Sequence, residues 1–238
     1  MISKKYTRWL RYEKKKLVIC WYCYAFYTHF SATQVLAVEE SEISTTLEVN
    51  NLNDLNSIFP ENEQWEEEMK NEANTAPVEI DPKAVGRARA GSWSWRDGVI
   101  CITDSYTSSP LFNNGHAGIM GASRWYTTVE ANPNDGVQFK SGDWPSRFGG
   151  QVWQVGVKST SVAQDKKAAL WAEKQVGKKY NNNFLNRGTR STFYCSQLVW
   201  AAYKDTANVD LDTWRYASAV HPFELHQTDK TTLIYRKK

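Results

Sequence analysis

Tyr194-Cys195-Ser196-Gln197-Leu198-Val199-Trp200 reads as the opening turns of a helix that runs to about Lys204. Leu198, Val199 and Ala202 stand at i, i+1 and i+4 and form one apolar face. Ser191 or Thr192 is placed to cap the start. Cys195 therefore falls in the first turn. There the unpaired backbone N–H groups and the positive end of the helix dipole favour thiolate over thiol. Thiolate is the nucleophilic form, so the position suits a catalytic cysteine, although it also accommodates a buried structural thiol.

Upstream, Ser161 and Gln164 make a capping-box pair ahead of an Ala- and Leu-rich helix over 162–176, with Gly177 as the terminating glycine. Apolar, β-branched and aromatic runs at 98–103, 117–120, 125–130, 152–157 and 231–235 read as strands. A small antiparallel sheet with helices packed on one side is an α+β fold.

A thiolate needs a base, and after Ala37 the chain holds three histidines, His116, His221 and His226. His221 and His226 fall outside the predicted regular elements. Their five-residue spacing, with Glu224 between them, matches no standard metal-ligand pattern, so no metal or other cofactor is expected. His116 follows Gly115 and starts a strand, which makes it the candidate base; a merely hydrogen-bonded strand histidine is the alternative. His116 and Glu130 lie on the two arms of one hairpin. A turn centred on Ser123 sets them directly opposite each other on one face. A two-residue turn would put them on opposite faces. In the first register Glu130 orients the imidazole and stabilises imidazolium, the third role of a triad.

Gly115-His116-Ala117-Gly118-Ile119, then Glu130, then Tyr194-Cys195-Ser196-Gln197-Leu198-Val199-Trp200 resemble the circularly permuted papain-fold NlpC-like hydrolases of the YiiX type, which are related to lecithin retinol acyltransferase-like proteins. The ordinary NlpC order is Cys before His, whereas here His comes first. The resemblance covers about residues 95–235. It implies a permuted papain-like fold with Cys195 as nucleophile, His116 as base and Glu130 as its orienting partner. Tyr194 is a candidate for the second oxyanion donor beside the Cys195 amide. One departure is Asp97-Gly98, where the family opens its domain with Gly-Asp.

The net charge of +3 over 238 residues averages three unlike segments. Residues 1–37 hold seven Lys/Arg and one Glu, then an apolar and aromatic run ending in Val35-Leu36-Ala37. That is the layout of a signal peptide cleaved before Val38; an uncleaved membrane anchor is the alternative. Residues 38–82 carry thirteen Asp/Glu against Lys70 as the one basic side chain before Lys83, and read as an acidic linker or pro-segment without a packed core. A short amphipathic helix near Asn62–Glu72 is the exception. Residues 83–238 are basic and form the hydrolase domain. Cys101 and Cys195 are too few for a disulfide-built secreted domain. These features describe a secreted, extracellular or cell-wall-associated thiol hydrolase, with amide bonds of cell-wall peptides as the expected substrate. An acyl-lipid hydrolase or acyltransferase and a non-catalytic secreted binding module are the rival readings. The basic domain suits an anionic wall polymer or lipid surface. Nucleic acid is not expected, because no basic-aromatic motif accompanies the export signal.

Overall fold

The computed structural model describes residues 62–84, 86, 89–105, 115–216 and 218–237. The expected signal peptide and the acidic stretch up to residue 61 lie outside them. Elements follow in the order α1 (Asn62–Thr75), β1 (Ile100–Thr103), β2 (His116–Met120), β3 (Thr127–Asn132), β4 (Gly136–Ser141), α2 (Trp144–Arg147), β5 (Val152–Val157), α3 (Val162–Glu173), β6 (Lys179–Tyr180), β7 (Thr192–Phe193), α4 (Cys195–Ala207), α5 (Glu224–Gln227) and β8 (Thr231–Arg236). An antiparallel six-stranded sheet has the order β4-β3-β2-β1-β5-β8, and β6 and β7 form a parallel pair. Among the described residues no helix is long and apolar enough to cross a membrane.

Both faces of the sheet are covered, which is why its strands read as apolar runs. Successive side chains alternate between the faces. Ile100, Ile102, Ala117, Ile119, Val129, Ala131, Trp153 and Val155 join α3 and α4 in the main core. The opposite face carries Cys101, Met120, Val152 and Ile234, packed with Trp144 of α2 and flanked by Trp93, Trp95, Phe148 and Tyr235. Strand β4 was not expected, although Val137 and Phe139 alternate with polar neighbours as an edge strand requires.

Helix α3 carries the expected capping box, with Ser161 Oγ accepting from the Gln164 amide and Gln164 Oε1 accepting from the Ser161 amide. Helix α4 starts differently from the expectation. Tyr194, not Ser191 or Thr192, is the N-cap, and Gln197 Oε1 accepts from the Tyr194 amide at 3.1 Å. Gln197 also accepts from Asn181 and donates to the carbonyls of Arg187 and Thr189. One buried amide thus closes the helix start and holds the 181–189 loop against it.

The expected acidic spacer is, over residues 62–82, part of the fold. Trp65, Met69 and Ala73 recur every four residues along α1 and are buried in the main core. Arg236 on β8 donates to the Ala73 and Ala76 carbonyls at 3.0 Å, placing a cation at the negative end of α1. The chain is held further along as well. The Glu79 amide donates to the Leu233 carbonyl, Arg96 pairs with Asp81 and Asp165, and Lys83 reaches Asp165 at 2.9 Å. Net charge summed over the whole segment conceals this stripe, because three apolar residues on one helix face suffice to dock it.

Met69 is fully buried in α1, so Met69→Ala should lower the unfolding free energy by about 2–5 kcal/mol in a denaturant titration. A spacer residue would show no change.

Candidate active site

Strand β2 delivers His116 at its first residue, and β3 delivers Glu130 at its fourth. The observed pairs are Gly118↔Glu130, Ile119↔Val129 and Met120↔Thr128. The turn is therefore centred on Arg124 rather than Ser123, and the register differs by two from the expected one. A shift of two preserves the face. His116 and Glu130 are diagonal neighbours on the same side of the sheet, not directly opposed. The diagonal is about 7–8 Å between backbones, and a long side chain can cross it.

Gly118 makes that crossing available. It faces Glu130 across the ladder, and a Cβ there would lie 2.9 Å from Glu130 Cγ and 2.8 Å from Trp144 Cζ2. The missing side chain leaves room for Glu130 to lean toward His116, and Glu130 Oε2 accepts from His116 Nε2 at 2.9 Å.

His116 also interacts electrostatically with the Cys195 side chain, each favouring the charged form of the other. The β2–β3 ladder stops at Gly118, and beyond it the Ala117 backbone adds to the stabilisation of the Cys195 thiolate. Loop 220–223 is fastened on both sides of Cys195. The Val220 amide donates to Tyr194 Oη at 2.9 Å, and Ser196 Oγ donates to the Val220 carbonyl at 2.6 Å. The same loop packs at Gly115, whose left-handed φ of +123° brings the chain against Pro222 and Phe223 just before His116.

Cys195, His116 and Glu130 are all buried. Burial works against every charge here, and the neighbours outweigh it. Burial pushes the imidazole down, but hydrogen bonds and charge from Cys195 and Glu130 raise it from 6.5 to about 9. Burial pushes the Glu130 carboxyl up, but His116 and Arg147 bring it down to about 2. Burial likewise pushes the Cys195 thiol up, and His116 with the Ala117 amide lowers it below 9.0. The arrangement favours a thiolate–imidazolium pair with a carboxylate behind it. Cys101 shows the contrast: burial outweighs the Gln154 hydrogen bond and the Arg147 charge and drives its thiol far above 9.0.

Sequence reading missed the groups that surround Glu130. Arg147 donates to it twice, Nη1 to Oε1 at 2.6 Å and Nη2 to Oε2 at 3.0 Å. Thr128 Oγ1 donates to Oε1, and Trp144 Nε1 donates to Thr128 Oγ1 at 3.3 Å. Trp144 also lies parallel to the His116 ring, centroids 5.3 Å apart. The available signal was Asp143-Trp144-Pro145-Ser146-Arg147, an Asp cap with Pro in the first turn.

Tyr194, named above as a second oxyanion donor, has its phenol engaged with the Val220 amide and buried against Phe184. The other candidates lie elsewhere. His221 Nε2 is 3.0 Å from Glu66 Oε1 of α1, while its Nδ1 accepts from the Phe223 amide. Glu224 accepts from the His221 and Arg215 amides and from Thr213. His226, pushed down to about 4 by burial, packs on Trp153 and Phe223. Among the described residues no three metal-ligating side chains cluster.

A thiol at a helix start, a strand histidine and a carboxylate behind it lie on a helix-packed antiparallel sheet, with the histidine first in chain order. The chain belongs to the permuted papain-like amidase family of the YaeF/YiiX type, family C92, whose model matches residues 102–233. It is 32% identical over 140 residues to the protein YycO of Bacillus subtilis (strain 168), an alignment covering 58% of this chain. The chain spans about half the length of that curated relative, 54%. Among solved structures it is similar to the metalloprotein yiiX of Escherichia coli O157:H7, at 17% identity and a TM-score of 0.49, covering 61% of this chain and 99% of that one.

Three outcomes follow from the geometry. Iodoacetamide should alkylate Cys195 far faster than Cys101 at pH 7, because the imidazolium that supports the thiolate persists until the pH passes about 9. His116→Ala should slow that alkylation roughly a hundredfold at pH 7, the penalty for a thiol at or above its ordinary value. Gly118→Ala should cost about 1–3 kcal/mol by overpacking and should slow Cys195 alkylation as Glu130 is displaced. Calorimetry and labelling rates report the two effects separately.

Proposed function

We propose that this chain is an exported thiol hydrolase that cleaves amide bonds in cell-wall peptides through a thioester intermediate. The observation that carries the reading is the His116–Glu130 pair at 2.9 Å acting on the Cys195 thiol, with the sulfur at the start of α4. Membership of an amidase family supports the amide bond. The basic, then apolar, residues 1–37 support export, and export supports a wall substrate.

The Cys195 thiolate attacks the scissile carbonyl carbon, forming the C–S bond as the carbonyl oxygen takes the negative charge. The Cys195 backbone N–H, unpaired at the helix start, donates to that oxygen. Collapse breaks the C–N bond while the His116 imidazolium passes its proton to the departing amine. Neutral His116 then takes a proton from water as the water oxygen attacks the thioester, and the thiolate leaves with its imidazolium partner restored. Glu130 keeps the ring aligned and stabilises its charged form at both stages.

A second reading, hydrolysis of acyl lipids, is favoured by one observation. Trp125 at the β2–β3 turn is 88% exposed beside the exposed Tyr126, and aromatic side chains at such a tip suit a lipid interface.

Incubation of the protein with peptidoglycan fragments and, separately, with phospholipid vesicles tests both readings. New amines from the first substrate are expected; free fatty acid alone would transfer the site to lipid, and neither product would leave a binding module. Cys195→Ala and His116→Ala should each abolish turnover, with the double variant little worse than either. Glu130→Gln should fold and turn over more slowly.

A further inference from the structure

The short helix α2 touches two members of the candidate site at once. Its first residue, Trp144, stacks on His116, and its last, Arg147, forks Glu130. The guanidinium is itself held in place. Asp143 caps the helix by accepting from the Ser146 amide at 2.8 Å, and the Arg147 guanidinium lies over the rings of Phe148 and Trp144 at 5.2 and 5.9 Å.

We propose that Arg147 is a positioning residue for Cys195, acting through Glu130 and His116 by holding the carboxylate charged and fixed in rotation. This rests on the reading of Cys195 and His116 as nucleophile and base. The two Glu130 oxygens are fully occupied. Oε1 accepts from Arg147 Nη1 and Thr128 Oγ1, and Oε2 accepts from Arg147 Nη2 and His116 Nε2. A planar fork engaging both oxygens fixes the carboxylate plane, which one point charge cannot do. With the plane fixed, Oε2 stays aligned with the imidazole, and the ring's other nitrogen stays toward the sulfur. Arg147 also supplies the charge that keeps a fully buried Glu130 ionised beside a residue that changes protonation during the reaction.

Among the described residues, the groups facing Glu130 leave Arg147 as its cation apart from the imidazolium. From β2 comes His116. From β1 comes Cys101, a thiol that burial keeps neutral. On β3 Thr128 is neutral, and on β4 Gln138 pairs opposite Glu130 while the Lys140 amine reaches Asp135 at 3.4 Å. Without Arg147 the carboxyl binds a proton at higher pH. On acidification the imidazolium then loses its anionic partner sooner, and the thiolate goes with it.

The test reads the thiol and needs no substrate. The iodoacetamide alkylation rate at Cys195 is measured against pH in the full chain. Arg147→Met should move the acid limb up by about one pH unit, a loss of about tenfold at a pH on the limb. Arg147→Lys, which keeps the charge without the fork, should restore most of the limb while leaving the plateau rate reduced. In a Glu130→Gln background, Arg147→Met should produce no further shift, because the route through Glu130 is already cut. A limb that Arg147→Met leaves in place, or shifts equally in the Glu130→Gln background, overturns the role of Arg147 alone. A wild-type thiol whose limb does not depend on His116 overturns the nucleophile reading and this proposal with it. If Arg147→Met does not fold, Arg147→Lys carries the test, and an unchanged limb and plateau in that variant overturn the proposal.

Discussion

Glu130 is a carboxylate buried in the middle of a β-sheet face, and much of the local architecture serves to compensate it. An isolated charge there would cost several kcal/mol and would take up a proton instead. The compensation comes from three directions in the chain: His116 from β2, Thr128 from its own strand and Arg147 from α2. Each partner is placed by something else. Gly118 vacates the space between Glu130 and His116, and Trp144 packs into what remains. The covering of the second sheet face by α2 is thus inseparable from the charge it encloses.

The same compensation extends to the Cys195 thiol. A helix start alone lowers a thiol modestly, and burial opposes it. The imidazolium next to the sulfur reverses that balance, and the imidazolium persists because a carboxylate that stays ionised lies behind it. Electrostatic support therefore runs inward from Arg147 to Glu130 to His116 to the thiol. Loop 220–223, tied to Tyr194 and Ser196 and packed at Gly115, closes the other side. That loop is braced in turn by α1, whose Glu66 meets His221. Part of the acidic segment is thereby structural support for the domain behind it.

Several features were legible from local sequence because local physics decides them. The capping box of α3 and the apolar face of α4 depend on residues within a few positions of one another. The placement of Cys195 in a first helical turn and of His116 at a strand start are likewise local. The Cys/His/Glu selection rested on a motif resemblance together with the parity of the hairpin. Parity survived a two-residue error in the register because strand side chains alternate with a period of two. The docking of α1 was obscured for the opposite reason: charge averaged over a long window outweighed three apolar residues spaced for one helix face.

By itself, then, the chain determined helices α1, α3 and α4 and five strands of the six-stranded sheet, that His116 and Glu130 share a face of the hairpin when its turn is centred on a residue, and that one thiol sits where a helix dipole favours its anion. Only the tertiary structure decided that Glu130 reaches His116 along a diagonal across Gly118, that Arg147 and Trp144 close over the pair, and that α1 is packed rather than solvated. The physical reason is range. Periodicity and capping act over a few residues, whereas a buried charge is compensated by whichever groups the fold brings within about 3 Å, however far apart they lie in sequence.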